Sequence, residues 1–360
     1  MKACHEITIS YSLKIYKCCV CKNSLWPFFK FARCQACELR LHCNCQSQLK
    51  HLCRPIQGGI SSSSEHSVRA NPINFLETNL QIDIATASND FSINNYRVLK
   101  LIARGSFATV YLVKDKVSGD LFAMKIYSEE KAQNIDLGFG ISLTAVANNE
   151  IEILSSLDHP NIIQLLEVIK SGNQDWLCLV FELANDHILT SQKAIEPPMS
   201  EKQARNIFIQ LVKGVEYMHK NSIIHCDIKP ENLLFKDNVL KICDFGISQR
   251  IISGSSVKLR AQGTRAFFPP EMCNSNKEEI EGAPLDIWAM GVTLYYVVFG
   301  VLPFQGDAVL ELYDSICNSK LTFPEKCSAG LRNLLEGMLW KDYTKRMTLK
   351  MIKAHEWLNI

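Results

Sequence analysis

The 360-residue chain lacks several features that would assign a class at once. It has no apolar run of full membrane-spanning length. The strongest, "IWAMGVTLYYVVFGVL" at 287–302, starts behind Asp286 and stops at Pro303, which predicts a buried helix. The first residues, "MKACHEITISYSLK", hold no apolar core of signal-peptide length, so a cytoplasmic protein with reduced thiols is expected. There is no internal repeat. There is also no large excess of charge: the formal net charge of +2 names no partner, and nucleic acid is not expected as one.

What is present is unevenly placed. Residues 1–60 carry a formal +7 and the remainder −5, so a basic head precedes a mildly acidic body. Of fifteen cysteines, nine fall in the first 53 residues. His5, Cys18, Cys21, Cys34, Cys37, His42, Cys45 and Cys53 follow H-x12-C-x2-C-x12-C-x2-C-x4-H-x2-C-x7-C. Each Cys-x2-Cys turn aims two soft donors at one tetrahedral ion, and eight ligands imply two Zn²⁺. A plant-homeodomain finger would need a second Cys-x2-Cys after residue 45 and has no use for His5. The spacing instead resembles the cysteine-rich domain of protein kinase C. That resemblance implies His5, Cys34, Cys37 and Cys53 on one zinc, and Cys18, Cys21, His42 and Cys45 on the other. Cys4, Cys19 and Cys43 are left over. Six zinc-bound thiolates and two Zn²⁺ bring the formal charge of the head to +5, still basic.

In that family two loops clasp diacylglycerol and dip apolar tips into the membrane. Here the tip is "SLWPFFKFA", 24–32, with Trp26, Phe28 and Phe29 beside Lys30, a composition suited to a membrane interface. The departures are a loop one residue shorter, Pro27 in place of Gly, no loop Gln, and no Pro before the first Cys-x2-Cys. The head therefore resembles the atypical branch. Contact with an anionic-lipid surface or a protein partner is expected of it, rather than capture of diacylglycerol, with peripheral recruitment to membrane as the consequence; a purely structural role is the alternative.

Three zones organise the chain: a zinc-binding head over 4–54, a linker over 55–92 containing "GGISSSSEHS", and a globular body over 93–360. In the body, strand-like runs come first ("YRVLKLIA", "TVYLVKD", "LFAMKIY", "WLCLVFEL"), and helical patterns dominate after about residue 200. The order predicts an α+β fold with a β-rich lobe followed by an α-rich lobe.

Phosphoryl transfer needs a phosphate cradle, a lysine, metal ligands and a positioned base. "ARGSFATV", 103–110, offers a cradle with Gly105 flanked by Ala103 and Ala108; alanine narrows the backbone freedom a Gly-rich loop uses. "FAMK" gives Lys125 on a strand, and the helical pattern "AVANNEIEILSSL" gives Glu150. "IIHCDIKPENLL", 223–234, and "DFG", 244–246, supply Asp227, Lys229, Asn232 and Asp244. Over residues 96–357 these motifs resemble the eukaryotic Ser/Thr protein kinases, and so does the Lys-Pro-Glu-Asn run. The resemblance implies ATP and Mg²⁺. ATP would lie against Ile102, Ala103, Gly105, Ser106, Phe107, Ala108, Val110, Lys125, the gatekeeper Phe181 and the hinge residue Glu182. Asn232 and Asp244 would hold Mg²⁺. Asp227 would steer the proton of the acceptor hydroxyl, Lys229 would neutralise the transferring phosphate, Glu150 would fix Lys125, and Thr264 would touch Asp227 and Lys229. Glu271 in "PPE" would pair with Arg346, Asp286 would hold the catalytic loop, and His225 and Phe245 would stack beside Leu154.

One position departs from that pattern. Most such loops have Arg before the Asp; here it is Cys226. In the family this Arg grips a phosphate on the activation loop, and the usual acceptor position holds Arg260. Receiver and donor are gone together, which predicts a kinase that does not depend on that phosphate. Cys226 and Cys243 are expected to be packing residues rather than redox switches. "GISQR", "GTRAFFPPE" and "LDIWAMGVTLYYVVFGVLPFQGD" resemble the calcium/calmodulin-dependent protein kinase kinases, which implies another kinase's activation loop as substrate. The Arg-Pro-rich insert is absent, Arg265 replaces a common Pro, and nothing follows the last helix, so calmodulin is not an expected partner. Tyr296 stands where Arg-directed kinases often carry an acid. The alternative from another class is a pseudokinase scaffold, suggested by Ala103, Ala108 and Cys226.

Overall fold

In the computed structural model the described residues are 90–105, 108–128, 143–170, 176–184, 186–187, 198–251, 257–258, 263–273, 279–280, 282–324 and 327–359, with short strands at 7–10, 16–17, 24–25, 31–34, 40–42, 76–79 and 82–85. The chain divides into two units, Met1–Pro72 and Ile73–Ile360.

The first unit contains β1 (Ile7–Ser10), β2 (Tyr16–Lys17), β3 (Ser24–Leu25), β4 (Phe31–Cys34) and β5 (Arg40–His42), with a sheet in the order β1-β4-β5 and a β2-β3 pair. Cys34 and His42 lie at the ends of β4 and β5. The other expected zinc ligands, His5, Cys18, Cys21, Cys37, Cys45 and Cys53, lie outside the described residues, as do Trp26 to Lys30 of the loop tip.

The second unit opens on β6 (Leu76–Asn79), β7 (Ile82–Ala85), β8 (Asp90–Ile93), β9 (Tyr96–Arg104), β10 (Thr109–Asp115) and β11 (Leu121–Ser128). Helix α1 (Leu143–Leu154), β12 (Leu165–Lys170) and β13 (Trp176–Glu182) follow. The eight strands form one sheet in the order β6-β12-β13-β11-β10-β9-β8-β7. The period of two explains which residues it buries. On β11, Met124 and Ile126 point into a core with Ile93, Val113, Ile169 and Val180, while Lys125 and Tyr127 point the other way, toward α1.

The stretch expected as a linker, 55–92, thus contains three strands of this sheet. The segments "LETN" and "IDIA" are too short to show a period. β7 pairs with the neighbouring β8, but the partner of β6, β12, is distant in the chain. The Tyr96 hydroxyl donates to Glu167 Oε2 at 2.7 Å, the Thr78 hydroxyl donates to the other carboxylate oxygen, and Asn94 donates to Asn79 O at 2.9 Å. Glu167 is buried, so these hydroxyls answer a need no local sequence announces.

The helical region holds α2 (Glu201–Lys220), α3 (Pro270–Cys273), α4 (Ala283–Phe299), α5 (Val309–Asn318), α6 (Ala329–Met338) and α7 (Leu349–Lys353). Small ladders lie among them: β14 (Asp186–His187) with β16 (Leu233–Lys236) and β17 (Val239–Ile242), β15 (Ile223–Ile224) with β18 (Gln249–Arg250), and β19 (Val257–Lys258) with β20 (Glu279–Ile280). Ser200 starts α2 with a reciprocal capping box to Gln203. The apolar run is buried in α4, which ends at Gly300 with φ 71°. No helix among the described residues is long and apolar enough to cross a membrane.

Candidate active site

Lys125 on β11 reaches Glu150 on α1 with its Nζ 3.0 and 2.8 Å from the two carboxylate oxygens, and Asp244 Oδ1 at 2.8 Å. Glu150 is nearly fully buried. Burial alone would depress the Lys125 ammonium, but Asp244 and Glu150 outweigh it and hold the pKa well above the usual lysine value. Lys125 in turn holds the Asp244 carboxyl below the ordinary range. Two residues that the motifs did not single out, Tyr127 and Asn149, complete this corner. The Tyr127 hydroxyl donates to Glu150, and Phe245 N donates to it at 3.3 Å. Asn149 Nδ2 donates to the carbonyls of Gly246 and Ser248 at 3.1 and 2.9 Å, clamping the chain after Asp244 to α1. Tyr127 was within reach of the period-two rule, since it shares the face of Lys125.

The second corner is the loop between β15 and β16. Lys229 Nζ lies 2.7 Å from Asp227 Oδ2 and 2.7 Å from Thr264 Oγ1, and Thr264 N donates to Asp227 Oδ1 at 3.2 Å. Asn232 spends its amide NH₂ on Asp227 O and Oδ2 at 2.8 and 3.1 Å. Cys226 and Asp244, each at φ 67°, occupy the left-handed region, a conformation costing on the order of 1 kcal/mol for such residues. Asp286 on α4, fully buried, keeps Cys226 there: its carboxylate accepts His225 N and Cys226 N at 3.0 Å each, and His219 Nε2 lies 2.8 Å away. His225 and Phe245 meet edge to face, with centroids 4.9 Å apart, rather than in a parallel stack.

The cradle and hinge residues are distributed over the sheet. Ile102 and Ala103 lie near the end of β9 and are exposed, Ala108 is buried, and Val110 pairs with Ala103 and Lys125. Gly105 N donates to Ala108 O at 2.9 Å, closing the turn; Ser106 and Phe107 at its tip lie outside the described residues. Phe181 is buried near the end of β13. The Glu182 side chain is committed elsewhere, to Lys236 at 3.0 Å, Lys241 at 2.8 Å and Gln164 N at 2.9 Å, and its backbone N donates to Gln164 O at 3.1 Å.

No group of three or more His, Cys, Asp or Glu is placed to hold a metal ion among the described residues. Two hard oxygen donors nevertheless fit Mg²⁺, which takes one or two protein oxygens and fills its octahedron with water and phosphate. One is the Asp244 carboxylate, whose side chain is 47% exposed. The other is the Asn232 carbonyl oxygen, left over once its NH₂ is spent. Cys243 N donates to Asn232 O at 3.0 Å, which brings the two donors to neighbouring backbone positions.

The Cys226 side chain packs with Ile251 and Met272 against Ile224 and Leu285. Burial, with Asp286 and Asp227 beside it, pushes the thiol pKa well up, so the sulfur stays a neutral thiol. Arg346 forks onto Glu271 at 2.7 and 2.9 Å.

The geometry is that of a phosphoryl-transfer cleft, and the protein kinase domain family matches residues 96–358. The chain belongs to that family, and its relatives place it among the serine/threonine kinases. It is 35% identical over 285 residues to serine/threonine-protein kinase GRIK2 of Arabidopsis thaliana, covering 78% of this chain and 70% of that one. It is 34% identical over 299 residues to serine/threonine-protein kinase TOS3 of Saccharomyces cerevisiae, covering 74% and 53%. It is also 34% identical over 272 residues to serine/threonine-protein kinase STK11 of Gallus gallus, covering 74% and 60%. The chain thus spans only about half to 70% of these relatives.

Proposed function

We propose that the protein transfers a phosphoryl group from Mg-ATP to serine or threonine of another protein, through Lys125, Glu150, Asp227, Lys229, Asn232, Asp244 and Thr264. The observation that carries this reading is the pair of charge clusters, Lys125–Glu150–Asp244 and Lys229–Asp227–Thr264, joined through the Asn232–Cys243 backbone bond. Mg²⁺, when bound, would supply positive charge to the phosphates. Asp227 accepts or steers the proton of the acceptor hydroxyl, and its backbone and carboxylate are fixed by Asn232 and Thr264 before any substrate arrives. Lys229 places a fixed cation beside that carboxylate, where negative charge develops during transfer. Lys125, fixed by Glu150, holds the phosphates from the other side. The test is transfer of label from ATP to protein or peptide acceptors, with Asp227→Asn as the matched control. Purified protein that binds nucleotide with Mg²⁺ yet labels no serine or threonine leaves only a scaffold.

The finer reading concerns control and targeting. The apolar surroundings of Cys226 support activity without a phosphate on the activation segment. The motif resemblance supports another kinase's activation loop as substrate, which an array containing such peptides tests. For the head, we propose two Zn²⁺ on the interleaved sets given above. The strand pairing supports this arrangement: Cys34 stands opposite Ile7, two residues after His5, and residues 18–23, with Cys18 and Cys21, connect the paired strands β2 and β3. Zinc content by mass and sedimentation with anionic liposomes test the metal and the membrane role.

A further inference from the structure

We propose that this kinase selects acceptors with an acidic residue within two positions of the serine or threonine, and that Arg265 reads that residue. The inference rests on the protein being an active Ser/Thr kinase. The first observation is a charge pattern. Between Asp244 and Glu271, residues 245–270 hold Arg250, Lys258, Arg260 and Arg265 and no Asp or Glu at all. Not all four cations are equally available. Arg250 donates to Ser156 Oγ at 2.8 Å and to Asn221 O at 3.4 Å. Lys258 stands opposite Glu279 in the β19–β20 ladder. Arg260 lies outside the described residues.

Arg265 is exposed, and it makes no ion pair among the described residues. It follows Thr264 directly, and Thr264 touches both Lys229 and Asp227. An acceptor hydroxyl at Asp227 therefore brings its own chain past Arg265. At about 3.3 Å per extended residue, the long Arg side chain covers one or two positions either side of the acceptor. Several acids are already paired. Asp227 faces Lys229, Glu271 faces Arg346, and Glu182 faces Lys236 and Lys241. Glu231 in the catalytic loop is exposed and works against this balance as a single charge.

The test compares peptides of one sequence with Asp, Ala or Lys placed from two residues before to two residues after the acceptor. For wild type, the kcat/KM ratio of Asp-flanked over Lys-flanked peptide is expected to be about fivefold at low salt, the scale of one exposed ion pair. It is expected to shrink toward one at about 0.5 M salt. Arg265→Gln should bring the ratio toward one, Arg265→Glu should invert it, and Arg265→Lys should restore most of it. Each variant is its own reference, so partial loss of folding or turnover cancels. A wild-type ratio at or below one, or a ratio that Arg265→Glu leaves unchanged, overturns the proposal. Wild-type protein that labels none of the peptides overturns the kinase reading itself, a distinguishable result.

Discussion

Lys125 and Arg346 are both cations held by two carboxylate oxygens at hydrogen-bonding distance, yet they sit in centres of opposite kind. Arg346 is sealed: its side chain is 0% exposed and that of Glu271 5%, and two further donors go to Pro284 O at 2.8 Å and Trp340 O at 3.2 Å. Four of its five N–H donors are thus matched inside the protein. Around Lys125 the pairing is as tight, but Asp244 keeps a 47% exposed side chain. The same ion-pair chemistry closes one centre and leaves the other unsaturated. Leftover valence in an otherwise dry cleft is what a nucleotide and its metal can use. A saturated pair can only hold the fold together.

The largest expected effect separates the two centres directly. Asp227→Asn should lower phosphoryl transfer by about 10³-fold, the scale of a lost general base, while shifting the thermal midpoint little. Arg346→Met should do the reverse. It leaves Glu271 buried without a counter-charge, at a cost of about 3–5 kcal/mol in a denaturant titration. The double variant Arg346→Met with Glu271→Met should recover part of that loss, because no charge is then stranded. If Arg346→Met unfolds at the wild-type denaturant concentration, the distinction between sealed and open centres fails.

Much of both centres was legible in the sequence, because it lies in short motifs whose spacing is tied to chemistry. Asp227, Lys229 and Asn232 are fixed within one loop, and Lys125 follows from strand period and motif. Partners that come from distant elements were not legible. Asn149 is the neighbour of Glu150, but nothing in "NNE" says that its amide will reach three carbonyls beyond Asp244. The strands within 76–93 were not legible because each holds four residues, and β6 pairs with β12, about ninety residues later, where Thr78 also donates to Glu167. The sequence pattern places Glu182 at the hinge but does not show that its side chain serves Lys236 and Lys241, which only the folded chain brings near.

Glu182 offers a smaller effect that refines the comparison, since it is a sealed carboxylate at the edge of the open cleft. Burial would raise its pKa, but Lys241, Lys236 and the Gln164 N–H outweigh that and hold it below the usual glutamate value. The carboxylate therefore adds stability above its unfolded pKa near 4.5, and that stability is lost as pH falls through the lower folded value. Glu182→Gln is expected to cost about 2 kcal/mol at neutral pH, with the gap to wild type closing below about pH 4. A pH-independent gap would mean that packing, not charge, holds this residue.

The smallest expected effect is none. The described residues after Asp244 are held by contacts that contain no phosphate. Asn149 clamps its first carbonyls, β18 pairs with β15, and β19 pairs with β20. Ile251 and Met272 pack around Cys226, where a phosphate-gripping arginine would stand in the wider family. A guanidinium there would have to displace this packing. Ser253→Ala, Ser255→Ala and Ser256→Ala combined should therefore leave transfer within about twofold of wild type, and phosphatase treatment should do the same. Cys226→Arg should lower stability without making activity phosphate-dependent. If the triple alanine variant loses activity and a phosphomimetic restores it, backbone pairing and apolar packing do not order this segment. The cations at 250, 258 and 260 would then have to be read as its phosphate receivers.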